Sequence, residues 1–301
     1  MEFVIDEEFA EVRLDRFLRK KYPNIALSEI FKGIRIGKIK INNKKPKENY
    51  RLKLNDKLLV FFDNVKNEEN SKENKEENKD KNKFFDINIK EIKKSIVYED
   101  EKILIFNKNQ NMVMHKGSGH DYGISEIFKE YYQNLNFNFV NRIDKSTSGL
   151  VIGAKSLVVA RNLAEDIRNR EIIKKYYILV DGIVNDNEFE IISYLKKAEK
   201  KMIEVSQYEE GAKKSKSIFN VIERGEKYTL LVGELESGRT HQLRIHLANN
   251  GNFIVGDNKY GNPKRENFLY LFSYYIKIPR YNLVFELPVP DNFLNKLKKG
   301  K

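Results

Sequence analysis

The sequence predicts an α+β protein with two domains and a charged segment between them. Apolar residues recur at helical spacing in the first 35 residues, and short alternating strand patterns follow as far as residue 62. From residue 84 onward the chain is rich in apolar strand patterns. At 301 residues it is long enough for one large and one small domain. We therefore place a small domain at 1–63, a linker at 64–83 and a larger domain at 84–301.

Composition narrows the class of protein. Hydrophobic residues make up 40% of the chain and aromatic residues 12%, which is enough for packed cores. The chain has no cysteine, so disulfides, thiolate nucleophiles and thiolate metal ligands are excluded, and four histidines make a histidine-built metal centre unfavourable. No apolar run has transmembrane length, and the start does not resemble a secretory signal. We therefore expect a soluble cytoplasmic protein.

Positive charge is concentrated in the first domain. Between Arg13 and Lys57 there are 15 Lys or Arg residues against four acidic ones, a local net charge of +11, whereas the whole chain carries +12. A nucleic-acid backbone is a favourable partner for such a surface, because each neutralised phosphate releases counterions. Lysine-rich usage in a biased genome is an equally good explanation of the total charge, so its distribution is the more informative feature.

Local patterns in this domain predict two short helices followed by a small sheet. The helical spacing is carried by Leu14, Phe17, Leu18, Ile30 and Ile34. Gly37 is a suitable C′ residue for the second helix, a strand follows at 39–42 with a turn at Asn42-Asn43, and 57–62 is a closing strand.

Lys38 and Lys40 lie beside and on the first of these strands. Two short helices and a small basic sheet resemble the αL-type RNA-binding motif shared with a small-subunit ribosomal protein. The resemblance implies that the domain binds RNA, and Lys38 and Lys40 are our candidates for contact residues. A basic domain of no particular function is the alternative.

The predicted linker has a different composition. Eighteen of the 20 residues from 64 to 83 are Lys, Glu, Asp or Asn, with six bases and six acids. Such a segment has nothing to bury, so we expect a solvated tether rather than a helix.

The segment 141–150 reads Asn-Arg-Ile-Asp-Lys-Ser-Thr-Ser-Gly-Leu. Its turn residues offer hydroxyls and backbone donors that can hold the Asp144 carboxylate, although an ordinary polar turn explains a single aspartate equally well. The segment resembles the signature His-Arg-Leu-Asp-x-x-Thr-Ser-Gly-Leu of the RluA-like pseudouridine synthases. Asp144 stands at the position of the catalytic aspartate, and Asn141 replaces the usual histidine.

Other motifs of that family follow in order. Residues 174–182 read Lys-Lys-Tyr-Tyr-Ile-Leu-Val-Asp-Gly and resemble Lys-x-Tyr-x-Ala-x-Val-x-Gly, which places Tyr176 at the position of the active-site tyrosine and Tyr177 on the opposite strand face. Residues 111–117 resemble a family stretch with two prolines and a glycine, all three of which are missing here. His115 in that stretch is interpreted as a structural histidine.

The block 236–246 reads Glu-Ser-Gly-Arg-Thr-His-Gln-Leu-Arg-Ile-His and closely resembles the family's Thr-Gly-Arg-Thr-His-Gln-Ile-Arg-x-His. His241 and His246 are five residues apart, so neither a helix nor a strand presents them together to one metal ion. We interpret the two arginines and two histidines as a basic cluster for RNA phosphates or a carboxylate partner, with Arg239 and His241 as RNA-binding candidates.

The resemblance implies a pseudouridine synthase that needs no cofactor or metal. Asp144 would be the catalytic carboxylate, and attack on the sugar, addition to the ring and a glycal route all remain open. Arg244 would pair with Asp144 and keep it charged, because an unpartnered buried carboxylate becomes neutral. Tyr176 would stack on the uracil and could move a proton. Arg142 would fill the space left by an extruded base, while Asn141 would alter the RNA contacts.

The family also implies a mixed, mainly antiparallel sheet crossed by an active-site cleft. Large-subunit ribosomal RNA is the favoured substrate, and we expect a monomer with no membrane contact and no obligate protein partner. Two alternatives stay open, namely the same chemistry on transfer RNA and a non-catalytic RNA-binding or ribosome-assembly protein. A hydrolase or metal-dependent nuclease is disfavoured, because the sequence shows neither a metal-ligand cluster nor an Asp/Glu pair at a recognisable motif.

Overall fold

The computed structural model describes residues 1–62, 92–115, 123–199, 201–261 and 266–299. Residues 1–62 fall in one compact unit, and most residues from 92 onward fall in a second. The predicted linker 64–83 lies outside the described residues, so the proposed domain boundaries remain predictions. Within the described ranges, no helix has the length and apolar character needed to cross a membrane.

Helices are interspersed among a larger number of strands along the described parts of the chain. The helices of the described ranges are α1 (Leu14–Lys21), α2 (Leu27–Arg35), α3 (Ile124–Tyr131), α4 (Leu157–Arg168), α5 (Gln242–Asn249) and α6 (Asp291–Lys298), with a 3₁₀ turn at Pro279–Tyr281. The strands are β1 (Glu2–Val4), β2 (Ile39–Ile41), β3 (Lys57–Val60), β4 (Ile96–Glu99), β5 (Ile103–Lys108), β6 (Asn138–Phe139), β7 (Ser148–Ala154), β8 (Ile173–Asp181), β9 (Glu188–Lys197), β10 (Met202–Val205), β11 (Lys213–Arg224), β12 (Tyr228–Leu235), β13 (Leu271–Ile278) and β14 (Leu283–Glu286).

The smaller unit packs α1 and α2 on a three-stranded antiparallel sheet in the order β1-β3-β2. Its core includes Leu18, Ile30 and Leu58, all fully buried, which confirms the helical and strand patterns predicted for this region. Gly37 has φ +78° directly after α2, as a C′ residue requires. Lys40 points to the exposed face of β2.

The larger unit is built on one eleven-stranded sheet. The strand order is β10-β9-β11-β12-β8-β13-β7-β5-β4, with β14 beside β13 and β6 beside β7. The neighbouring pairs are antiparallel, apart from the parallel pair of β7 and β13. The prediction of a mixed, mainly antiparallel sheet is therefore confirmed.

The parallel contact at the centre of this sheet depends on Gly149. Its φ of +111° disfavours any residue with a side chain, and a Cβ would overlap the backbone carbonyl of Ser273 on β13. Ser273 in turn pairs with Tyr176 on β8. Three adjacent strands therefore bring the loop before β7 and the tyrosine of β8 to the middle of the sheet.

Candidate active site

Asp144 lies in the loop between β6 and β7. Its own carbonyl accepts the N–H of Thr147 at 3.0 Å, which closes the turn ahead of β7. One quarter of the Asp144 side chain is exposed, so its carboxylate is neither sealed in the core nor freely solvated. The Asp144 carboxylate is therefore accessible from solvent.

Lys108 holds the Asp144 loop from the protein interior. This fully buried lysine ends β5, and its Nζ donates to the carbonyls of Asn109, Met112 and Lys145 at 3.0, 3.2 and 3.2 Å. Burial lowers the pKa of Lys108 to about 8, against the opposing effect of the Asp144 charge. The residue after Asp144 is thus tied to the end of β5.

Asn111 stands where the family stretch Lys-Pro-x-Gly-x-x-x-His-Pro has its glycine, when His115 is matched to the histidine of that stretch. Asn111 adopts φ +66°, a left-handed conformation that asparagine tolerates better than most residues, and its N–H donates to the Lys145 carbonyl at 2.8 Å. The loop geometry that a glycine would allow is therefore retained, and this segment also holds the Asp144 loop.

Arg244 connects two carboxylates. It projects from α5, and its Nη1 lies 3.2 Å from Asp144 Oδ2, so the predicted contact between the two is present. Its Nε and Nη2 donate to Oδ2 and Oδ1 of Asp257 at 2.8 and 2.7 Å. Burial alone would lower the pKa of Arg244, but the charges and hydrogen bonds of both carboxylates outweigh it and raise that pKa. The guanidinium is therefore a fixed positive charge beside Asp144.

Asp257 anchors that guanidinium, a role that the sequence analysis did not assign. Its side chain is 1% exposed, and its Oδ1 also accepts the N–H groups of Lys259 and Tyr260 at 2.9 and 3.1 Å. Burial would raise the pKa of Asp257, but the Arg244 bonds and charge outweigh this effect and lower it. The Gly256-Asp257 pair and the following Tyr260 formed a sequence pattern that could have pointed to this second carboxylate.

His241 contacts the same site from the residue before α5. Its backbone is left-handed at φ +57°, and its Nε2 lies 3.6 Å from Asp144 Oδ2. The Nδ1 atom lies 2.7 Å from the hydroxyl of Tyr260. Burial lowers the pKa of His241 below its usual value, against the opposing effect of the Asp144 charge. This histidine is therefore neutral near pH 7.

Tyr176 lies on the face of β8 opposite to that of Tyr177, as predicted. It is 6% exposed and belongs to the main core cluster, whereas Tyr177 points to the other face and stacks on Tyr274 at 3.7 Å between ring centroids. Burial raises the pKa of Tyr176 to about 12, with smaller effects from Ser273 and Asp144. The phenol is therefore the form present at neutral pH, which favours stacking over proton abstraction.

The sequence leaves the predicted cluster of two arginines and two histidines open between RNA phosphates and a carboxylate partner, and the structure places the Asp144 carboxylate beside Arg244 and His241. His246 is fully buried, with its Nε2 between the hydroxyls of Ser193 and Ser215 at 3.0 and 2.9 Å, and burial lowers its pKa to about 4. The guanidinium of Arg244 forms ion pairs with the carboxylates of Asp144 and Asp257. Of the four, only Arg239 is exposed.

The remaining RNA-binding candidates differ in exposure. Asn141 is buried, and its Oδ1 accepts the N–H of Ile152 at 2.7 Å, so the structure gives it a contact that supports the loop. Arg142 and Lys40 are exposed, and Lys38 is half-buried. RNA contacts of these residues, and of Arg239 and His241, remain predictions.

Comparison with known proteins identifies the family to which this fold and site belong. The family model described as RNA pseudouridylate synthase matches residues 102–249, which include Asp144, Tyr176 and Arg244. The ribosomal large subunit pseudouridine synthase C of Buchnera aphidicola subsp. Baizongia pistaciae is 35% identical over 269 residues, 88% of this chain and 82% of that protein. The chain belongs to the RNA pseudouridylate synthase family.

Further relatives support this membership. The protein of the same name from Vibrio cholerae is 31% identical over 89% of this chain and 83% of its own length. The solved structure of human RNA Pseudouridylate Synthase Domain Containing 1 aligns with a TM-score of 0.58 and 26% identity, over 68% of this chain and 86% of that one. Human RNA Pseudouridylate Synthase Domain Containing 4 shares the fold at a TM-score of 0.62, with 19% identity over 72% of this chain and 96% of that one.

Membership of the RNA pseudouridylate synthase family confirms the resemblance to RluA-like enzymes drawn from the motifs. The protein is an RNA pseudouridine synthase, an isomerase. Its family segment spans the Asp144 loop, β8 and α5, which are the elements that assemble the site described above.

Proposed function

We propose that this pseudouridine synthase isomerises uridines of large-subunit ribosomal RNA, with Asp144 as its catalytic carboxylate. The observation that carries the proposal is the pairing of Arg244 with both Asp144 and Asp257, of which Asp144 is partly exposed and Asp257 is buried. Relatives that share more than four-fifths of their length with this chain are named ribosomal large subunit pseudouridine synthases, which supports the choice of substrate.

The reaction suits a single charged carboxylate. The bond between the ribose carbon and the uracil nitrogen breaks, the base turns, and a bond to ring carbon replaces it, while the proton on that carbon is lost and the ring nitrogen regains one. Atoms and electrons balance without an oxidant or reductant. Asp144 would act at the reacting nucleotide, while the Arg244 guanidinium holds its Oδ2.

Reaching the base in folded RNA requires extrusion, at a cost of a few kcal/mol. Arg142 is exposed two residues before Asp144, and its planar guanidinium suits both stacking in the vacated space and contact with phosphate. We assign the extruded uracil to the neighbourhood of Tyr176, whose ring is held on the site face of β8. These elements come from one chain, so the proposed site needs no second copy. We further propose that the protein acts as a monomer in the cytoplasm, where ribosomes are made.

The substrate can be tested by incubating the protein with large-subunit RNA, small-subunit RNA and transfer RNA, followed by carbodiimide treatment and reverse-transcription mapping. We expect new pseudouridine stops in large-subunit RNA only. Stops in transfer RNA alone would favour the tRNA alternative. Tight RNA binding without any stops would instead support a non-catalytic assembly protein.

The proposed role of the amino-terminal domain leads to a prediction about salt. Replacing both Lys38 and Lys40 by Gln should weaken RNA binding and reduce the slope of log K against log salt by about 2, because each phosphate contact contributes roughly one unit. Binding should be measured by filter retention between low and physiological salt. The charge-matched control replaces the exposed Lys298 and Lys299 at the end of α6 by Gln. An equal slope change in both variants would show that only the total charge matters.

A further inference from the structure

We propose that Tyr260 and His241 form a positioning pair that holds the Asp144 carboxylate by Oδ2 and leaves Oδ1 for the uridine. The inference rests on the proposed function, since it assigns the two residues to the orientation of the catalytic carboxylate. It gives His241 a role different from the RNA contact that the sequence predicted.

The first step concerns the hydroxyl of Tyr260. Its oxygen accepts the backbone N–H of Met202 at 3.2 Å, at the start of β10. The same hydroxyl lies 2.7 Å from Nδ1 of His241, and it has a single proton to donate. The oxygen of Tyr260 accepts from Met202, and we assign its single proton to Nδ1, the arrangement in which the hydroxyl both accepts from the backbone and donates to the imidazole.

The second step follows for the imidazole of His241. A neutral imidazole carries one proton, so an Nδ1 that accepts from Tyr260 leaves the proton on Nε2. That Nε2–H faces Asp144 Oδ2 at 3.6 Å, slightly longer than a hydrogen bond. Hydrogen bonds between catalytic groups are often long without substrate and shorten when it binds. Tyr260 therefore selects the tautomer that favours the carboxylate.

The third step concerns the two oxygens of Asp144. Arg244 Nη1 approaches Oδ2 at 3.2 Å, and His241 Nε2 approaches the same atom, so both donors lie on one oxygen. A carboxylate held by one oxygen has its plane set and its other oxygen directed away from the donors. Within the described residues no hydrogen bond reaches Oδ1, which is the oxygen we assign to the reacting nucleotide.

The ring of Tyr260 has a separate contact that the test must preserve. The Arg244 guanidinium carbon lies 5.3 Å from its centroid, a cation–π distance. Tyr260→Phe keeps this ring and removes only the hydroxyl. We expect the single-turnover rate of pseudouridine formation to fall about 10-fold, the scale of one hydrogen bond from His241 to the charged Asp144. The affinity for RNA should stay unchanged. Tyr177→Phe, on the opposite sheet face, is the matched control and should leave both values unchanged.

A double-mutant comparison separates positioning from a general structural role. The amide of His241→Gln can place an N–H toward Oδ2 without a tautomer to select, so this variant should keep more activity than His241→Ala and should be insensitive to Tyr260→Phe. An equal slowing by Tyr260→Phe in the wild-type and Gln backgrounds would overturn the proposal, and so would an unaffected rate in the wild-type background.

A spectroscopic measurement distinguishes failure of this inference from failure of the proposed function. Nitrogen-15 NMR of histidine-labelled protein reports which ring nitrogen of each of the four histidines carries the proton. We expect His241, identified by its loss in His241→Gln, to show the Nε2–H form alone, and Tyr260→Phe to produce a mixture. A tautomer unchanged by Tyr260→Phe would reject the pair whatever the activity, whereas the expected shift without any pseudouridine in the wild type would reject only the function.

Discussion

Asp144→Asn is expected to abolish pseudouridine formation while RNA binding persists. The substitution keeps the shape of the side chain and removes the charge and nucleophilic character that the reaction needs. Asp144 is the partly exposed carboxylate of the pair held by Arg244, so its replacement should lower the single-turnover rate by at least about 1,000-fold. Mapping with carbodiimide measures the product, and filter retention of the same RNA measures binding.

Asp144→Glu provides the matching control for charge. Glutamate keeps the carboxylate near the Arg244 guanidinium but moves it by one methylene, so an effect of charge alone would be preserved. We expect a large loss of rate here too, because a displacement of about 1 Å can cost on the order of 100-fold. Substantial activity in Asp144→Asn would show that Asp144 takes no part in the reaction.

The turn position of Asp144 and the strand face of Tyr176 were both predicted from local patterns, and the structure confirms both placements. Asp144 and Tyr176 lie within short motifs whose polar and strand patterns fix their place in a turn and on one strand face. The two-residue period of β8 was enough to separate Tyr176 from Tyr177. The contact between Arg244 and Asp144, 100 residues apart, came from the family motif and not from any local pattern.

Burial that depends on tertiary packing could not be predicted from the motifs. His246 belongs to the same motif as His241, yet the turn of α5 directs it into the core against Ser193 and Ser215. Asn141 is similarly turned toward the backbone of Ile152. A sequence motif shows which residue types occur together, whereas exposure is decided by the sheet that packs against them.

The supporting residues could not be predicted from periodicity either. Lys108 appears as an ordinary charged strand end, but its ammonium is buried among three carbonyls from two loops. Asp257 and Tyr260 follow α5 in a turn whose geometry depends on Gly256, where φ is +78° and a Cβ would overlap the Phe268 carbonyl. Such contacts exist only once the loops are folded onto the sheet.

Arg244→Met is expected to reduce both stability and activity, for two separable reasons. Methionine leaves the Asp257 carboxylate buried without its cation, and breaking a buried ion pair by removing one partner typically costs about 3–5 kcal/mol. It also removes the donor to Asp144 Oδ2, so the catalytic carboxylate loses its positioning. Urea unfolding measures the first effect, and the single-turnover rate measures the second under conditions where the variant is folded.

Adding Asp257→Asn to Arg244→Met separates these effects. A neutral amide carries no buried charge and can still accept the N–H groups of Lys259 and Tyr260 through its oxygen, so the double variant should regain much of the lost free energy of unfolding. Its activity should stay as low as that of Arg244→Met, because Asp144 still lacks its partner. Recovery of activity together with stability would mean that Arg244 acts only through the fold. A double variant as unstable as the single one would mean that the buried charge of Asp257 is not what Arg244 compensates.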